Sequence, residues 1–191
     1  MAADRRLLTA LAALQRALDD SGAPSMIIGG IAVIGRGVSR DTSDVDAAVW
    51  GAAIEPAELL AVLARHQIMP REPDPLGFER QSHMLLVKHQ PTGVTLDIAF
   101  SWLPFEREAM TRASEIDFQG VPIRAASPED LIVYKATAWR NRDRADIERL
   151  LTLHGHTIDA ERVLDLVRQI GQALDDPERA IILERMIREA Q

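Results

Sequence analysis

G-G-I-A-V-I-G-R-G-V-S-R-D-T-S-D-V-D, residues 29–46, is the stretch whose reading decides the fold. A glycine pair follows the short apolar run 25–28, which predicts a buried strand feeding a helix over 31–35. Glycine carries no Cβ, so the backbone at Gly29 and Gly30 can come close to a ligand phosphate. A helix opening there offers free N–H groups and the positive end of its dipole. Gly35 and Gly37 mark a loop, and 43–50 reads as a second strand. In a strand, Asp44 and Asp46 point to one face, and Val45, Ala47 and Val49 to the other. Two adjacent carboxylates repel, so a fold keeps them together where a cation or a proton relieves the charge. A hard divalent cation such as Mg²⁺ suits this oxygen set together with substrate phosphates.

Outward from this stretch, Leu7, Leu11, Leu14 and Leu18 recur on one face of a helix over 4–20, which Ser21-Gly22-Ala23-Pro24 ends. A helix over 55–67 follows the second strand, and Pro70, Pro73, Pro75 and Gly77 predict an irregular loop. Residues 84–88 and 94–100 read as a hairpin. Its second strand buries Val94, Leu96, Ile98 and Phe100 on one face, with Asp97 on the other beside Thr95 and Ala99. A carboxylate centred in an apolar strand needs a reason, because an unpaired buried charge is costly. The simplest is that Asp97 faces the same site as Asp44 and Asp46 from a neighbouring strand.

A helix over 103–112 and a small hairpin about Gly120 lead to a change of composition near residue 126. From there the pattern is helical throughout, at 128–140, 143–153, 160–174 and 177–189. Ser127-Pro128-Glu129-Asp130 is an N-cap serine, a proline at the first helical position and acids in the first turn. Val163, Val167, Ile170 and Leu174 predict one apolar face. The expected architecture is α+β: a domain over 1–126 with a small mixed sheet flanked by helices, then a helical domain over 127–191.

Composition narrows the function. The 191 residues are 47% hydrophobic and 27% charged, an ordinary globular balance with enough chain for a proper core. No cysteine is present, which excludes disulfides, thiolate zinc sites and cysteine nucleophiles and fits a reducing cytoplasm. No apolar run approaches a membrane span, and no signal peptide is visible, so no membrane partner is expected. The net charge of -7 argues against a broadly basic nucleic-acid binder.

Three carboxylates and a glycine-opened helix are the parts needed for nucleotidyl transfer with two metal ions, Mg²⁺ or Mn²⁺, and a nucleoside triphosphate substrate. The order Gly29-Gly30, Arg40-x-Thr42-x-Asp44-x-Asp46, then Asp97 resembles the nucleotidyltransferase superfamily with the DNA polymerase β-type palm. The later run Lys135…Arg142-Asp143-Arg144-Ala145-Asp146 resembles its AbiEii-type (MenA-like) branch, which includes toxins of type IV toxin–antitoxin systems. The resemblance covers roughly residues 25–153. It implies catalytic, metal-holding roles for Asp44, Asp46 and Asp97, and nucleotide-binding roles for Gly29, Gly30, Arg40, Thr42, Lys135 and Asp143. Lys135 would contact the triphosphate and Asp143 would position the nucleotide or orient Lys135, in a cleft between the lobes; an antitoxin partner is implied for the toxin branch. The sequence departs from the pattern after the glycine pair, where Ile31, Ala32 and Val33 stand in place of a serine or threonine.

Blander readings compete. An Asp-x-Asp is usually a solvated strand face, Lys135 can snorkel between Tyr134 and Trp139, and the arginines among 140–149 alternate with acids as on an ion-paired helix face. The five histidines show no metal spacing. The acceptor stays open among a tRNA 3′ end, a protein side chain and a small molecule of aminoglycoside type, as does a palm that binds without turnover.

Overall fold

The computed structural model describes residues 4–190. The chain divides into two compact units, one holding the chain through Gly35 together with Ser39–Ala126, the other holding Arg36–Val38 together with the chain from Ser127 onward.

The first unit begins with α1 (Arg5–Ser21), capped by the Asp4 side chain on the Arg6 N–H and closed by Gly22 in the left-handed conformation. Leu7, Leu11, Leu14 and Leu18 are all buried, the i, i+4, i+7, i+11 stripe of the sequence. Each contributes about 1.5–3 kcal/mol through that burial. Then come β1 (Ser25–Ile28), α2 (Gly29–Gly35), β2 (Val45–Trp50), α3 (Pro56–Arg65), β3 (Ile68–Pro70), α4 (Pro75–Ser82), β4 (Met84–His89), β5 (Thr95–Ser101), α5 (Pro104–Arg112), β6 (Ser114–Phe118) and β7 (Val121–Ala125). The strands form one mixed sheet in the order β3-β4-β5-β2-β1-β7-β6. β2 lies between β1, antiparallel, and β5, parallel. Met26, Ile27, Val45, Ala47, Val49, Leu96 and Ile98 are buried along these three central strands.

The structure departs from the sequence reading in this unit. The proline-rich segment is not an irregular loop: it contains β3, paired antiparallel to β4, and α4. Asp74 caps α4 by accepting from the Gly77 N–H, and Pro75 stands at its first turn. α2 opens at Gly29 rather than Ile31, and β2 starts at Val45, so Asp44 sits just ahead of the strand.

The second unit holds α6 (Pro128–Ala138), α7 (Asn141–His154), α8 (Ala160–Ala173) and α9 (Glu178–Ala190). Ser127 caps α6 by accepting from the Asp130 N–H, and donates its own O–H to the Asp130 carboxylate. Trp139 ends α6 in the left-handed conformation, so the predicted span to 140 stops two residues earlier. Leu131, Ile132, Ile147, Leu150, Val163, Val167 and Leu183 form this unit's core. On α8 the expected apolar face stops short: Leu174, the C-cap, is 52% exposed, while Gly171 is buried against the Asp176 backbone.

Candidate active site

The sheet register assembles the acids. β2 and β5 run parallel with Asp46 opposite Asp97, so both carboxylates project from the same face of adjacent strands. On the other side of β2, Asp46 pairs with Ile28, the last residue of β1. Gly29 follows Ile28 with φ +63°, a backbone conformation that disfavours a side chain. A Cβ on Gly29 would lie 1.8 Å from Asp46 Oδ2, so the missing side chain is the space the Asp46 carboxylate fills. Gly30 makes the same kind of room: a Cβ there would lie 2.6 Å from Thr42 Oγ1 and 3.2 Å from an Arg40 guanidinium nitrogen. The glycine pair thus brings Asp46, Thr42 and Arg40 against the start of α2. Thr42 Oγ1 donates to Asp44 Oδ1 at 2.8 Å, and Arg40 Nε donates to the Asp41 carbonyl at 3.1 Å.

Asp97 has a cation partner that sequence reasoning missed. Arg71, immediately after β3, donates through its guanidinium to Asp97 Oδ1. Burial raises the Asp97 carboxyl above its ordinary value; the Arg71 guanidinium opposes this, and the Asp44 charge adds to it. Asp44 is thus within electrostatic reach of Asp97, and Asp46 stands in register beside it. Among the described residues, no three His, Cys, Asp or Glu side chains converge as a ready-made metal cage. The donor set is nonetheless hard oxygen, and Mg²⁺ commonly needs only one or two carboxylates when substrate phosphates supply the rest.

A cavity of about 400 Å³ opens beside Thr42 and Ser43, lined also by Asp4, Arg6 and Thr95. A groove of about 490 Å³ lies at the far end of β1 from the glycine pair, lined by Pro24, Ser25, Arg107 and Arg124 among others.

Lys135 and Asp143 belong to the helical unit. Lys135 Nζ bonds Asp143 Oδ1 at 2.9 Å and approaches Asp146 Oδ2 at 3.0 Å. All three side chains are buried. Asp143 also accepts from the Arg140 N–H at 3.2 Å, which caps α7. Asp146 was legible only as part of the Arg-Asp-x-x-Asp run. Its i, i+3 spacing from Asp143 is the signal that puts both acids on one helix face beside Lys135.

A mixed sheet flanked by helices, with acids in register on its central strands beside a glycine-opened helix, defines a nucleotidyltransferase-type protein. The chain belongs to the family described as nucleotidyl transferase of unknown function (DUF2204), whose model matches residues 7–188. Similar solved structures include the solution structure of the antibiotic-resistance factor ANT(2'')-Ia, at 22% identity and a TM-score of 0.62, covering 91% of this chain and 97% of that one. The crystal structure of ANT(2'')-Ia in complex with adenylyl-2''-tobramycin is 21% identical with a TM-score of 0.58, covering 88% and 98%. JHP933 from Helicobacter pylori is 16% identical with a TM-score of 0.52, covering 100% and 93%. At these identities the likeness is one of fold. No curated protein matches the chain. Among the described residues, no helix is long and apolar enough to cross a membrane.

Proposed function

We propose that this protein transfers a nucleoside monophosphate from a nucleoside triphosphate to a hydroxyl of a small, cationic acceptor. The observation that carries the reading is Asp46 and Asp97 in register on parallel strands, with Asp46 packed over Gly29. Asp44 and Asp46 are the acids to hold a divalent cation, Mg²⁺ or Mn²⁺, together with phosphate oxygens. When bound, such ions neutralise charge on the triphosphate and make an acceptor hydroxyl more acidic. The acceptor oxygen attacks the α-phosphorus, the bond to the β-phosphate breaks, and pyrophosphate leaves. Asp97, in register with Asp46, would help hold the cation and takes the hydroxyl proton. Thr42 fixes the Asp44 carboxylate through its hydrogen bond, and Arg40 steadies the loop and meets the phosphates. Catalysis here is positioning and charge stabilisation.

A small cationic acceptor is favoured over a tRNA end by the net charge of -7, and the cavity of about 400 Å³ next to Thr42 and Ser43 offers room for a small molecule. The adenylyl-tobramycin bound to a protein of the same fold supports it.

Each α-³²P-labelled nucleoside triphosphate is incubated with the protein, Mg²⁺ or Mn²⁺, and either an aminoglycoside panel or total tRNA. Label is expected on a small acceptor and is expected to vanish in Asp44→Ala/Asp46→Ala. Transfer that survives this double substitution overturns the site; label on tRNA alone overturns the acceptor class.

A further inference from the structure

We infer that Arg71 is a resident counter-cation of the carboxylate cluster, which a divalent cation must displace from Asp97 before the third acid can serve. The inference rests on the nucleotidyltransferase reading above.

Arg71 is not a surface side chain that happens to reach an acid. Its backbone N–H donates to the Leu86 carbonyl at 2.8 Å, and Leu86 is the residue of β4 paired with Asp97. Asp97 in turn is paired with Asp46, and Asp46 with Ile28. One row across the sheet therefore carries Arg71, Asp97, Asp46 and the residue before the glycine pair. The sheet itself delivers the guanidinium to the acid.

Asp46 and Asp97 stand in register on adjacent strands and Asp44 lies within electrostatic reach of Asp97, so positive charge stabilises the cluster in the resting protein. Arg71 supplies it, and a guanidinium stays protonated, so pH cannot remove it. Only competition can. The Arg71 and Asp97 side chains are 30% and 31% exposed, so a solvated cation can reach the pair. Ion pairs this exposed are modest in strength and exchange readily. Arg71 is thus a positioning residue, holding Asp97 in its rotamer until metal and substrate arrive together.

The test is Mn²⁺ titration of the full chain by isothermal calorimetry, without nucleotide. Arg71→Gln removes the competitor and is expected to bind Mn²⁺ roughly fivefold more tightly, the scale of one partly exposed ion pair. Arg71→Met, a second neutral variant that keeps the aliphatic stem, is expected to show the same gain. Arg71→Lys keeps the charge and is expected to stay within about twofold of the parent. A merely structural arginine would give weaker binding when removed, not tighter. Unchanged or weaker Mn²⁺ binding in both folded neutral variants overturns the proposal, as does an equal gain in Arg71→Lys. The Asp44→Asn/Asp46→Asn variant separates the two readings. If it binds Mn²⁺ as the parent does, the metal site itself fails and the Arg71 proposal with it. If it loses Mn²⁺ while the Arg71 variants show no gain, only the Arg71 proposal fails.

Discussion

Replacing Lys135 with methionine removes a cation shared by two buried acids. The ammonium lies 2.9 Å from Asp143 Oδ1 and 3.0 Å from Asp146 Oδ2, with Asp143 only 4% exposed and Asp146 fully buried. At an effective dielectric of about 20, each contact at that range is worth roughly 5 kcal/mol before desolvation is subtracted. Removing one partner of a buried ion pair costs about 3–5 kcal/mol, because the charge left behind has lost its partner but not its burial. Two neighbours soften the loss. Arg140 approaches Asp143 at 3.6 Å and Arg149 approaches Asp146 at 4.0 Å, though both arginines are mostly in solvent. The lower end of the range, about 3 kcal/mol, is therefore expected. For a chain of this size that corresponds to a fall in Tm of roughly 6–12 °C. Thermal and urea unfolding followed by circular dichroism measure it. Lys135→Met/Asp146→Asn should recover part of the loss, since it removes one of the two stranded charges. A loss below about 1 kcal/mol, or a double variant no more stable than Lys135→Met alone, would refute the buried-charge reasoning.

Two further predictions concern the first unit. Gly29→Ala must place a Cβ where Asp46 Oδ2 now lies and hold alanine at φ +63°. It is expected to cost about 1–2 kcal/mol in stability and to lower nucleotidyl transfer at least a hundredfold; a variant that keeps full transfer would show that Asp46 has no fixed position. The His89 imidazole is pushed below its ordinary value of 6.5, chiefly by burial and then by the Arg16 charge. The unfolded chain therefore takes up a proton that the native state resists. Stability is expected to be complete above about pH 6.5 and to fall as pH drops through that value. In His89→Gln that part of the acid dependence should disappear, and an unchanged urea midpoint-versus-pH curve would rule the histidine out.

The parts of the site that were legible in the sequence are those fixed by strand periodicity. Asp46 stands out against Val45, Ala47 and Val49, and Asp97 against Leu96 and Ile98, because alternation assigns each residue a face; Asp44, just ahead of β2, is held by the Thr42 hydroxyl instead. Alternation does not say which strands are neighbours, so the pairing of Asp46 with Asp97 needed the sheet order. Arg71 was hidden by its surroundings. A three-residue strand ending in Pro70 carries no usable period, and the cluster of prolines reads as a loop. Yet Asp74-Pro75 is the same cap-and-proline start as Ser127-Pro128, and it marked α4 all along. The glycine pair was visible, but its local reason was not: what the absent Cβ atoms admit is Thr42, twelve positions after Gly30, and Asp46, seventeen after Gly29.

The pairing of β2 with β5 has a consequence for how the chemistry is metered. Side chains alternate along a strand, so a slip of one residue would turn Asp97 to the opposite face and set an apolar side chain, Leu96 or Ile98, beside Asp46. Nothing about the acids prevents that slip; like charges would welcome the separation. What prevents it is oil: Leu96, Ile98 and Phe100 are committed to the buried face, and a slip would drive them into water. The hydrophobic interior is therefore the ruler by which the two charges are spaced. Because Asp97 lies fifty-one positions after Asp46, that ruler exists only once the distant strands have closed on each other. A chain with β1 and β2 formed but β5 undocked would hold its glycine pair and its Asp-x-Asp intact, and would have nothing to measure with.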